Sequence, residues 1–378
     1  CWSCAPARLP GTWEALQTGT GDSFYGINFV NDQVGWVNGQ TDRAYVPPGD
    51  NSNSNSAAKP KPTPTPTRVS EKESESKDPL KANQGFEVLH TTDGGKTWTQ
   101  IADQFKYKIR SVWFIDPQTG WALTIDRDIL HTVDGGATWS TQRKAGTVKV
   151  KLVGNLKTPV MDAPEQIDHV YFKDRTHGWA WGGGQKSTYA EQPGTFLTTV
   201  NGGANWNEVP FPFTQSIDSI FFMDNNHAWA STKDGLYKST DGGVTWAKIT
   251  TRLPELAFNS MCFVNTDVGF VVGRSGRIAR TTDGGRTWWK MLDIKPEFVM
   301  EDIYFRDEKH GWAVGRRDLG HDETDGAVLY TPDGGDSWLS AGSPVQTKLM
   351  DIEFSGKDSG WISGLNGAVL KFSASNAK

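Results

Sequence analysis

The sequence predicts an all-β chain folded as a seven-bladed β-propeller, with four antiparallel strands per blade and a ring closed by the N-terminal strand completing the last blade. Three observations predict it. A turn of pattern Asp-Gly-Gly-x-Thr-Trp recurs six times with small drift, at Asp93 to Trp98, Asp134 to Trp139, Asn201 to Trp206, Asp241 to Trp246, Asp283 to Trp288 and Asp333 to Trp338. A Gly-Trp pair, drifting to Ala-Trp and Gly-Phe, recurs seven times, at Trp36, Trp121, Trp179, Trp229, Phe270, Trp312 and Trp361. The seventh turn Trp is missing, and Gly11-Thr12-Trp13-Glu14-Ala15-Leu16 supplies it from the other end of the chain. Repeats of about 40 to 50 residues built from short strands read as propeller blades. Sharing a blade between the two ends leaves no long unpaired edge.

Each element of the module has a physical reason. In the fifth copy Met261-Cys262-Phe263-Val264, Gly269-Phe270-Val271-Val272 and Ile278-Ala279-Arg280 are short β-branched and aromatic runs bounded by Gly, Asp and Asn, and so read as strands. In the turn Asp283-Gly284-Gly285-Arg286-Thr287-Trp288 the glycines suit positive φ, the Asp can accept bonds from turn amides, and the Trp can pack between sheets. This is the Asp-box of neuraminidase-type repeats, which occurs in enzymes and non-enzymes alike. The domain reading is an N-terminal segment over 1–10, a propeller over 11–378, and a Pro/Ser/Asn-rich insertion over 40–85 within the first blade.

Composition narrows the partners. Lys and Arg total 39 against 44 acidic residues, a net charge of −5, so no basic field draws in nucleic acid. No apolar run approaches the 18 or so residues of a membrane-spanning helix. The chain starts at Cys1 without Met or an apolar leader, as a mature bacterial lipoprotein does after its signal peptide is removed. Lipid on Cys1 would then tether it to a membrane, and several acyl chains make such a tether stable. An incidental chain start, or a disulfide from Cys1 to Cys4, would also account for that residue. Cys1-Trp2-Ser3-Cys4 lacks the following His of a c-type haem motif, since Ala5 stands there. Cys262, in an apolar strand, reads as a small buried hydrophobe.

Interruptions of the repeat carry more information than the repeat itself. The first blade is interrupted from Gly39 to Phe86 by an Asn-Ser tract and a Lys-Pro-Thr-Pro tract that have almost nothing to bury. Further excursions run from Arg143 to Gln166, Gly182 to Gly194 and Arg316 to Asp325. Loops between second and third strands, and those between blades, emerge on one face of a propeller; the Asp-box turns emerge on the other. All four excursions are therefore expected on the same face, and loops on a rigid scaffold carry function. Two turns of that face, Gly273-Arg274-Ser275-Gly276-Arg277 and Gly315-Arg316-Arg317, place Arg274, Arg277, Arg316 and Arg317 as candidate partner-binding residues suited to carboxylate or phosphate groups. Against this, exposed turns commonly carry Arg, and Asp318, Asp322, Glu323 and Asp325 lie nearby to neutralise it.

No catalytic set emerges. The Arg-Ile-Pro signature of sialidases is absent, with only Arg8-Leu9-Pro10 and Arg252-Leu253-Pro254 near it. Asp116, Asp174, Asp224 and Asp307 recur at one position of the module and read as turn formers rather than the paired carboxylates of a glycosidase. His177, His227 and His310 share one column and His90 and His131 another, leaving His169 and His321, so no metal set converges. The expectation is a non-enzyme with no cofactor, no metal and no small-molecule substrate. A glycan-binding or sialidase-like propeller, and a generic exported interaction scaffold, are the alternatives.

The pattern Ile303-Tyr304-Phe305-Arg306-Asp307, His310-Gly311-Trp312-Ala313-Val314-Gly315, Val328-Leu329-Tyr330-Thr331 and Asp333-Gly334-Gly335-Asp336-Ser337-Trp338 resembles the photosystem II stability and assembly factor family over nearly the whole chain. The resemblance implies a seven-bladed propeller, a lipoprotein start at Cys, and a place on the lumenal or periplasmic side of a membrane. It also implies a partner among photosynthetic reaction-centre or antenna subunits, which the chain would assemble, or stabilise as an accessory subunit. The family's arginine contact patch is similar in kind to Arg274, Arg277, Arg316 and Arg317. The Gly39 to Phe86 excursion departs from the compact family form.

Overall fold

The computed structural model describes residues 9–41, 85–101, 104–152, 160–184, 190–191, 194–213, 215–250, 258–273, 276–293, 298–320 and 323–374. They form seven four-stranded antiparallel sheets, each a simple meander from an inner to an outer strand, as in Ser23–Phe29, Gly35–Gln40, Glu87–Thr91 and Thr99–Gln100 of the first blade. The last blade runs Leu349–Phe354, Gly360–Gly364 and Val369–Ala374, and its fourth strand is Gly11–Leu16. Trp13 lies opposite Phe372 across that pairing, which is the predicted closure. Trp13 also meets Phe354 edge-on at 6.0 Å, as Trp98 meets Phe29 at 6.2 Å and Trp139 meets Phe114 at 5.9 Å in their own blades. The N-terminal Trp thus fills the place of the missing turn Trp.

What holds blade to blade is a ring of aromatic stacks. The Phe ending each inner strand lies on the Gly-Trp aromatic of the preceding blade. Phe29 stacks on Trp361 at 3.7 Å, Phe114 on Trp36 at 3.6 Å, Phe172 on Trp121 at 3.5 Å, Phe263 on Trp229 at 3.8 Å and Phe305 on Phe270 at 3.4 Å. The Gly of Gly-Trp is there for the same ring, because a Cβ on Gly120 would stand 2.4 Å from Phe114. In the fourth blade that position is Ala228, and the corresponding stack, Phe222 on Trp179, opens to 4.1 Å with a 23° tilt. Indole N–H groups add a polar link. Trp121, Trp179, Trp229 and Trp361 each donate to the carbonyl of the first Asp-box glycine in the next blade, at 2.6 to 3.3 Å. Where Phe270 replaces Trp, Arg280 lies over its ring and donates to Gly334 instead, at 3.4 Å.

Along the inner strands the register slips at one recurrent position, between Phe24/Gly26, Ile109/Ser111, Ile217/Ser219, Phe258/Ser260, Met300/Asp302 and Leu349/Asp351. Such bulges re-aim side chains, and here they lie where the strands line the axis.

Candidate functional site

The Asp-box residues are occupied within their own turns. Asp93 accepts from Thr97 N at 2.9 Å, Thr97 Oγ1 at 2.6 Å and Thr91 Oγ1 at 2.9 Å, while Gly95 N donates to Thr91 Oγ1 at 2.9 Å. Asp134, Asp241, Asp283 and Asp333 repeat the pattern, and Asn201 keeps its amide-oxygen half. Bonds from Thr97 hold the Asp93 carboxyl down to about 2. The second column of aspartates behaves likewise. Asp174, Asp224 and Asp307 each cap a turn and pair with His177, His227 and His310 at 2.9 to 3.0 Å. These residues build turns, as their periodicity predicts. Cys262 is free and buried, and burial pushes its thiol up to about 12.

The opposite face is where the blades differ. Between the second and third blades Thr147–Leu152 pairs antiparallel with Val160–Pro164, anchored by a two-pronged ion pair from Arg143 to the buried Glu165 at 2.8 and 3.0 Å. Ala190–Glu191, from the third-blade excursion, adds a third strand to it. Two excursions are therefore welded into one side sheet on one face, as the connectivity requires. The sixth-blade excursion is not a loose loop, because Gly311–Gly320 and Glu323–Thr331 continue the blade as a long ribbon in which Arg317 faces Asp325. The first-blade excursion lies outside the described residues over 42–84, yet its two ends, Gln40 and Phe86, emerge on this face.

The arginine turns divide. Arg274 lies outside the described residues, as does Cys1. Arg277 is exposed at the start of its third strand. Arg316 turns inward, Nη1 standing 3.5 Å from Glu301 Oε1, a carboxylate also paired with Lys348 Nζ at 2.8 Å. Arg317 lies over the Phe298 ring at 5.9 Å.

The axis holds residues that periodicity did not flag. Asp302 accepts from Ser260 Oγ at 2.6 Å and from Ile352 N at 2.9 Å; Asp351 accepts from Ile27 N at 2.9 Å; Glu353 accepts from Phe29 N at 2.6 Å. Carboxyl groups on inner strands thus stitch the sixth, seventh and first blades together. Burial in the channel pushes Glu353 up to about 8, and burial plus the adjacent Asp302 pushes Asp351 well above the carboxylate range. Toward the excursion face stand Arg110 and Arg127, both on Asp168 Oδ1, at 3.2 and 2.7 Å. Aligning the seven modules singles out only Glu353, the sole charge in the column of Asn28, Trp113, Tyr171, Phe221, Cys262 and Tyr304. No group of three or more metal-ligating side chains occurs among the described residues.

Fold and turn chemistry define the class, a seven-bladed Asp-box propeller with one elaborated face. Residues 198–292 match the family model described as photosynthesis system II assembly factor YCF48. Two solved structures are similar over almost the whole chain. YCF48 bound to a D1 peptide has a TM-score of 0.62 and 18% identity, covering 98% of this chain and 97% of that one. YCF48 from Cyanidioschyzon merolae has a TM-score of 0.62 and 18% identity, covering 96% and 99%. Virginiamycin B lyase from Staphylococcus aureus shares the fold at a TM-score of 0.58 and 12% identity, covering 96% and 99%. No curated protein matches the chain by sequence. The family resemblance read from the repeats is borne out by the family model over residues 198–292, and the seven-bladed fold by the two YCF48 structures.

Proposed function

We propose that this chain is a non-enzymatic assembly or stability factor that binds a photosynthetic reaction-centre subunit through its excursion face. The observation that carries the reading is the match of residues 198–292 to the photosystem II assembly factor model, reinforced by a similar propeller solved with a D1 peptide. The chemistry agrees with it. Asp-box and turn carboxylates are consumed by their own turns, whereas blade-to-blade variation is concentrated on one face. In this reading Cys1 carries lipid, which holds the propeller at the periplasmic or lumenal surface, and Arg277 and Arg317 border the contact. Crosslinking of the assembled complex, followed by peptide mapping, tests it. Crosslinks from the excursion face to reaction-centre subunits are expected; crosslinks confined to the Asp-box turns would overturn the assignment of the face.

A further inference from the structure

We infer that the axial cavity opening on the excursion face is a binding site for a peptide carboxylate, met by the guanidinium of Arg110. The inference rests on the partner-binding reading above and names the chemistry of one contact within it.

The cavity has a volume of about 430 Å³ and draws its walls from the first, second, third and seventh blades, among them Tyr25, Asn38, Phe86, Trp113 and Asp168. Arg110 sits at the inner-strand bulge of the second blade, between Ile109 and Ser111, which is why this side chain enters the channel. Its guanidinium lies 5.8 Å from the centre of the Phe86 ring, and Nη1 donates to Asp168 Oδ1 at 3.2 Å. That single acceptor is shared. Arg127 Nη1 donates to the same oxygen at 2.7 Å, and Gly183 N reaches the other at 3.3 Å. Arg110 donates no further hydrogen bond to any described residue, and it lines the cavity.

The charge count is decisive. Two guanidinium groups meet one carboxylate, and the other acid of the wall, Asp351, is engaged by Ile27 N and its neighbour Asp302. His169 stacks on Trp181 at 5.1 Å, and desolvation lowers its pKa. Among the described residues the two guanidinium groups outnumber the carboxylate they share by one, beside a pocket walled by Tyr25, Phe86 and Trp113. Arg presents paired donors that suit a carboxylate, and the aromatic walls suit an apolar stem behind it. The arginine turn of the sixth blade offers less, because Arg316 already faces Glu301.

The test uses the full chain and three short probes, N-acetyl-Leu-Phe as the free acid, the same dipeptide as the amide, and N-acetyl-Glu-Phe amide, with binding read by ligand-observed NMR at low salt. The free acid is expected to bind at least about tenfold more tightly than its amide, an advantage lost in Arg110→Gln. If the Glu peptide shows the advantage instead, the site takes an acidic side chain rather than a chain terminus, and the inference stands. Equal binding of all three, or an acid preference that survives Arg110→Gln, overturns it. Should Arg110→Gln fail to fold, Arg110→Lys serves: it keeps the charge but loses the paired donors, so the acid preference must shrink without vanishing, and an undiminished preference overturns the assignment. Crosslinking to reaction-centre subunits with no carboxylate preference would remove this inference and leave the proposed function intact.

Discussion

Titrating the axis should move the stability of the ring in a direction opposite to that of most carboxylate-rich proteins. Glu353 lies in the channel wall, bonded to Phe29 N of the next blade, and burial raises it from 4.5 to about 8. A group whose folded pKa is raised favours folding while protonated. Its contribution is complete below about 4.5 and is lost as pH climbs to about 8. At 1.36 kcal/mol per unit the shift corresponds to on the order of 4–5 kcal/mol. Glu353 is only partly shielded from solvent, and screening leaves an expected loss of about 2–4 kcal/mol between pH 5 and 8. Asp351 adds to the same slope. The Asp-box carboxylates run the other way: Asp93, held at about 2 by Thr97, favours folding above its ordinary value and ceases to as pH falls below about 4. Maximum stability is therefore expected near pH 5. Urea unfolding followed by Trp fluorescence at pH 4.5, 5.5, 7 and 8 measures the slope, and Glu353→Gln, which keeps the shape without the titration, should flatten it. An unchanged slope in that variant, or a wild type most stable at pH 8, would refute the reasoning.

Three further outcomes follow from the packing. Gly120→Ala places a Cβ 2.4 Å from the Phe114 ring and so breaks its stack on Trp36; a loss of about 1–3 kcal/mol is expected in chemical denaturation. Asp134→Ala removes the acceptor for Thr132 and Thr138 and should cost about 1–3 kcal/mol, whereas Asp134→Asn, the arrangement the third blade already uses at Asn201, should cost less than half as much by the same measurement. Arg280→Ala removes both the cover on Phe270 and the donor to Gly334, and should cost about 1 kcal/mol in wild type but nearly nothing beside Phe270→Trp, whose indole restores the donor; a double-mutant cycle reads this coupling.

The ring was legible because its parts are spaced along the chain in the order in which they pack. Trp13 and the six turn tryptophans predict closure, since a residue that fills a repeated place carries the repeat's signature wherever it lies in sequence. The excursion face was legible for the same reason: strand order alone dictates which connections share a side. The axis was not. Arg110, Asp168, Asp302, Asp351 and Glu353 come from four different modules and meet only when the ring closes, so no local spacing marks them, and only alignment of the modules singles out Glu353. Arg316 shows the converse limit, because a turn arginine reads as exposed until the ribbon of the sixth blade turns it back onto Glu301.

The central claim, that this propeller holds a photosynthetic reaction-centre subunit, is tested most directly by affinity purification of the tagged chain from native membranes with quantitative mass spectrometry. Reaction-centre subunits should be enriched over an untagged control, and enrichment should fall when the excursion-face residues Arg110, Arg277 and Arg317 are replaced together by Gln. An eluate from chlorophyll-containing membranes with no reaction-centre or antenna subunit above control would contradict the account.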